Sequence, residues 1–143
     1  PFEDTCNIAQ HMEAIFRRNL NQRTARVKIR RVIRLDQRSR DHFGGSLFAM
    51  TDPFFMMMVS QNLGKAYIIW DQAAKIEFLK PGRGTVRAKF ELSQSQIDEL
   101  IALAAAGEKV LKDFVVEVID EEGDIVTRIV KTIYVRKKRP KPL

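Results

Sequence analysis

Hydrophobic and polar positions change period several times along this chain, and each change marks an element. From Asn7 to Leu20 the apolar residues Ile8, Met12, Ile15, Phe16 and Leu20 recur at three- and four-residue steps, predicting an N-terminal amphipathic helix over 7–20. Residues 26–35 then alternate basic and apolar side chains, the period of a strand with one wet face. After Gly44-Gly45 the run from Leu47 to Val59 is apolar on nearly every side and predicts a wrapped central helix over about 46–63, capped by Ser46 and stopped at Gly64. Pro53 removes an amide donor inside it and predicts a kink or a fresh start there.

Downstream, residues 66–79 read as one long strand bulged near Asp71-Gln72. The turn residues 80–84 and the alternating run 85–92 would make it an antiparallel hairpin. Ser93 to Gln96 has capping-box spacing ahead of a short helix over about 94–106, closed by Gly107. Residues 110–119 and 125–136 flank the acidic turn 120–124 and predict a second hairpin. An antiparallel sheet curved around one buried helix, an α+β architecture in a single domain over 1–143, accommodates this order.

One carboxylate interrupts the greasiest segment. Ionised Asp is rarely buried without partners, so Asp52 is the first candidate for chemistry. Asp71, which breaks an apolar strand after Trp70, is the second. With His11, His42 and Cys6 scattered, no metal-ligand spacing is visible. Phosphate loops and nucleophile elbows are absent as well. One cysteine excludes an internal disulfide framework and points to a reducing, cytoplasmic setting; no apolar run approaches the length of a membrane span.

The net charge of +7 is concentrated near residues 23–31 and in a basic tail over 136–143. These patches suit an anionic partner, either nucleic acid or a phosphate-bearing small molecule.

The Gly44-Gly45 pair with an acid eight residues after the first glycine, and the Phe78-Leu79-Lys80-Pro81 segment, resemble the hotdog-fold acyl-coenzyme A thioesterases. The resemblance is to the phenylacetate-pathway type and a related uncharacterised subgroup, over about residues 24–136. It implies a hotdog fold and a homodimer or dimer of dimers with sites at the interface. By the same resemblance Asp52 is the base or nucleophile, and the amides around Gly44, Gly45 and Ser46 hold the oxyanion. His42 and Phe43 lie where the family often has a histidine directly before its glycine pair. From the residues themselves, Trp70 is a candidate lining of an acyl tunnel and Asp71 a candidate hydrogen-bonding group near the site. Lys80 and Arg83 would meet the phosphates of coenzyme A, which enters as part of the substrate; no other cofactor is implied. Such proteins also usually place a second strand between the first strand and the central helix, where this chain has only residues 36–41.

Two alternatives stand beside thioester hydrolysis. One is a non-catalytic hotdog module that binds acyl-coenzyme A or an acyl carrier. The other is a basic nucleic-acid binder, which the lack of any recognised nucleic-acid motif disfavours.

Overall fold

A computed structural model of the chain describes residues 12–15, 24–29 and 44–142. In chain order the elements are β1 (Met12–Ile15), β2 (Thr24–Ile29), α1 (Gly44–Ala49), α2 (Phe54–Leu63), β3 (Tyr67–Phe78), β4 (Val86–Glu91), α3 (Gln94–Ala104), β5 (Val110–Ile119) and β6 (Ile125–Lys137). The six strands form one antiparallel sheet in the order β1-β2-β4-β5-β6-β3.

Alternation along the strands sets one buried face. Val86, Ala88 and Phe90 of β4, Phe114, Val116 and Val118 of β5, and Ile129, Ile133 and Val135 of β6 all turn inward. Helix α2 meets this face through aromatic contacts. Phe55 stacks on Phe114 with ring centroids 4.9 Å apart, and Phe54 and Phe55 each lie 5.1 Å from Phe90. Such pairs add specific geometry to the apolar area they remove from water.

The expected central helix is two helices. Residues 50–53 form a turn between them, with Thr51 Oγ1 donating to the Phe48 carbonyl at 2.7 Å and a cis Asp52–Pro53 bond. Pro53 lends its carbonyl to the amide of Met57 at 3.0 Å, so α2 starts afresh beyond it. The start of α1 at Gly44 places Ser46 inside the helix, and its expected capping role is corrected accordingly. The capping box of α3 is complete, with Gln96 N donating to Ser93 Oγ at 3.2 Å and Ser93 N donating to Gln96 Oε1 at 2.9 Å.

Two larger expectations are overturned. Met12–Ile15, placed in a helix over 7–20, is a strand paired with β2, with Met12 opposite Ile29 and Ile15 opposite Arg26. The remainder of that segment lies outside the described residues. A free sheet edge offers a row of backbone partners, and this tertiary opportunity overrides the helical spacing. Residues 36–41, where a second strand was expected between the first strand and the central helix, lie outside the described residues. The strand expected over 26–35 is described as Thr24–Ile29, and its later residues lie outside the description.

The second correction concerns the proposed hairpin of β3 with β4. β3 pairs instead with β6 along nearly its whole length, from Tyr67 opposite Lys137 to Phe78 opposite Thr127. Both edges of β4 are occupied by β2 and β5. Sequence adjacency suggests a hairpin only where both strands have free facing edges, and residues 79–85 here form a crossover. The bulge is where it was expected, between Asp71 and Ala73. The hairpin of β5 with β6 is also present. Arg136 and Lys137, assigned to a basic tail, are the last residues of β6.

Candidate functional site

The turn between α1 and α2 carries Asp52 to the inward face of the sheet, where it meets a residue the sequence reading missed. Lys131 sits in the middle of β6, in the same alternating register as Ile129, Ile133 and Val135, and only 2% of it is exposed. Its Nζ lies 2.5 Å from Asp52 Oδ1 and 3.4 Å from Asp71 Oδ1. The ring of Phe48, on α1, stands 5.2 Å from the same nitrogen and offers its negative face to the charge. Across the sheet, Lys131 has Phe114 on β5 and Ala74 on β3 as register partners. One ammonium is therefore enclosed by three elements, with both sequence-derived carboxylates as its ion-pair partners.

A buried ammonium is tolerated only when paired, and the bulge in β3 helps to provide the second partner. Asp71 is opposite the buried Ile133 and faces inward, whereas Trp70 is opposite Tyr134 and stacks on it at 3.9 Å with planes 6° apart. Trp70 is thus on the other face of the sheet from Asp71. Burial pushes the Asp71 carboxyl above its ordinary range, Lys131 pulls it down, and the nearby Asp52 charge pushes it up again; the net direction is upward.

Asp52 itself is more open than its apolar sequence context implies. Its side chain is 43% exposed, against 2% for the lysine it holds. It was expected to be the buried group, but its place on a turn leaves part of it toward solvent. At the other end of α1, Gly44 lies against the ring of Phe78, where an added Cβ would come within 3.0 Å of Cζ. The Ser46 hydroxyl is buried and, among the described residues, has no hydrogen-bond partner. First-turn amides, those of Gly45 and Ser46 among them, have no carbonyl four residues earlier in the helix to bond. His42 and Phe43 lie outside the described residues.

Lys80 and Arg83, expected to meet phosphates, belong to a different place. They line a surface recess with Pro81, Gly84 and the acidic turn Asp120 to Glu122. Lys80 Nζ lies 2.8 Å from Asp120 Oδ2, 2.7 Å from Asp124 Oδ2 and 3.6 Å from Glu122 Oε2. Hydrogen bonds to Asp120 and then Asp124 hold this lysine well above its ordinary range, and Lys80 in turn holds Asp120 low. Its charge binds the crossover loop to the β5–β6 turn. Several other cations are also engaged: Arg128 with Glu117, Lys112 with Glu99, Lys89 with Glu91, and Arg136 with the Gly107 carbonyl.

Residues 13–135 match the model of a family described as a domain of unknown function, DUF4442. The chain belongs to the DUF4442 family. No curated protein matches this member. Its fold is that of solved structures with low sequence identity. A protein of unknown function from Pseudomonas aeruginosa, described as a probable thioesterase, superposes with a TM-score of 0.73 at 15% identity, covering 96% of this chain and 97% of the other. The PaaI protein of the phenylacetic acid degradation operon of E. coli gives 0.56 at 14% identity, covering 96% and 87%. A thioesterase from Haemophilus influenzae gives 0.62 at 13%, covering 94% and 86%. This DUF4442 chain has the α+β hotdog fold of these structures. Among its described residues no helix is long and apolar enough to cross a membrane.

Proposed function

We propose that this DUF4442 protein hydrolyses a thioester of the acyl-coenzyme A type, with Asp52 as the base. The observation that carries the reading is the Asp52 carboxylate, held through Oδ1 by the buried Lys131 and partly open to solvent at the turn beyond α1. Water would attack the thioester carbonyl carbon as its proton passes to Asp52. The first-turn amides of Gly45 and Ser46 would hold the oxyanion. Collapse of the tetrahedral species then breaks the C–S bond, and the departing thiolate takes the proton from Asp52. The scheme uses no group beyond the chain, water and substrate; coenzyme A arrives on the substrate.

A second copy fits this reading. β3 is a twelve-residue strand at the end of the sheet order, with Ile68, Trp70 and Phe78 exposed. Long apolar edges of this kind are usually covered, and pairing along β3 would bring a partner beside the bulge that carries Asp71. Sedimentation at a mass near twice 16.5 kDa is the expected result.

Thiol release from a panel of acyl-coenzyme A esters, aliphatic and aromatic, tests the activity. Asp52→Ala should lower kcat by about 10²- to 10⁴-fold, the usual range for a lost general base. Equal rates for the variant and the wild type would discard the catalytic role. Tight retention of acyl-coenzyme A without turnover would favour the binding-module reading.

A further inference from the structure

We propose that Lys131 is a positioning residue whose ammonium is shared between Asp52 and Asp71, and that it shifts from the first to the second when Asp52 takes up the proton of the attacking water. The inference rests on the reading of Asp52 as the base and extends it to two residues outside that reaction scheme.

Geometry carries the argument. Lys131 Nζ is 2.5 Å from Asp52 Oδ1 and 3.4 Å from Asp71 Oδ1, a tight partner and a looser one on different elements. Buried from solvent, the ammonium depends on protein groups for its partners. The remaining neighbours recorded around it are the Phe48 ring and its register partners Phe114 and Ala74, none of which carries charge. Once Asp52 is protonated, Coulomb attraction at that position falls and Asp71 is the one carboxylate recorded within reach among the described residues. Its Oδ1 is buried and has no hydrogen bond in the resting arrangement, so a place for the incoming N–H is already there. A proton arriving on Asp52 therefore leaves Lys131 paired. The proton's later departure to the thiolate returns the ammonium to Asp52, resetting the base.

Asp71 also serves as a reporter that does not require turnover. Lys131 pulls its titration down and the Asp52 charge pushes it up. Carboxyl ¹³C NMR titration of Asp71, assigned with Asp71→Asn, should therefore show a higher midpoint in Lys131→Met and a lower one in Asp52→Asn. In steady-state hydrolysis, Lys131→Met should lower kcat by tenfold or more with KM within about twofold, and Lys131→Arg should recover part of that loss. Asp71→Asn, which keeps the Lys131–Asp52 pair, should lower kcat less than Lys131→Met does.

An unmoved Asp71 midpoint in Lys131→Met, or a loss that falls on KM instead of kcat, would overturn the inference. The underlying reading fails by a different sign, wild-type turnover in Asp52→Ala. Should Lys131→Met not fold, the Asp52→Asn midpoint and the Asp71→Asn rates decide the matter: a midpoint that fails to fall, or wild-type kcat in Asp71→Asn, overturns the shared ammonium.

Discussion

Lys131 and Asp52 form an ion pair 2.5 Å long in which the two partners have opposite environments: the ammonium is 2% exposed and the carboxylate side chain 43%. Desolvation therefore falls mainly on the lysine, and the pair is asymmetric in what each half contributes.

Truncating the two partners should differ in cost. Lys131→Ala deletes a packed stem and leaves two neighbouring carboxylates without their cation, and it should destabilise the fold by roughly 2–4 kcal/mol. Asp52→Asn leaves Lys131 still paired with Asp71 and should cost roughly 1 kcal/mol. Urea unfolding of both variants checks the ordering, and equal losses would contradict it.

Asp71 has an unusual sign in its pH dependence. Because its carboxyl is pushed up in the folded chain, the native state holds that proton more tightly than the unfolded chain does. Its contribution to stability is present below the ordinary value near 3.8 and is lost as pH rises through the folded value. Asp71→Asn, which stands in for the protonated form, should match wild type in melting temperature near pH 3 and exceed it near pH 7. A difference that stays flat across that range would refute the assignment.

The recess around Lys80 should behave in the reverse way. Lys80 holds Asp120 below its ordinary value, so the network contributes at neutral pH and is lost as pH falls through the folded value of Asp120. Lys80→Met should lower the melting temperature at pH 7, by an amount that shrinks as pH falls below the ordinary carboxylate range. Hydrolysis, if Lys80 takes no part in binding phosphate, should keep the same KM for acyl-coenzyme A.

Ser46 separates a structural role from a chemical one. Its hydroxyl is buried and has no partner among the described residues, so Ser46→Ala removes an unmet polar group and should leave stability within about 1 kcal/mol of wild type or raise it. A fall in kcat in that same variant would identify the hydroxyl as a donor to substrate.

How far the sequence was legible depends on which physical signal each element carries. The break at Pro53, the bulge after Asp71, the α3 capping box and the β5–β6 hairpin follow from local chemistry, and all four are present. Pairing of β3 with β6 depends on which edges remain free after the sheet assembles, which no window of residues reports. Met12–Ile15 was misread for a similar reason, since four residues with mixed spacing take the form their neighbour offers. At the site, Asp52 and Asp71 stood out as acids within apolar runs. Lys131 was overlooked among the many basic residues, although its position two residues from both Ile129 and Ile133 puts it on the inward parity of β6. Basic residues at inward parity merit the same attention as acidic ones.

The contact between Gly44 and Phe78 links distant parts of the architecture. One is the first residue of the short helix leading to Asp52, and the other is the last residue of the outermost strand, touching through an aromatic ring and a bare Cα. A partner that docked along that strand and moved its end would press on the first residue of the helix leading to Asp52, and so would couple assembly to the setting of the proposed base.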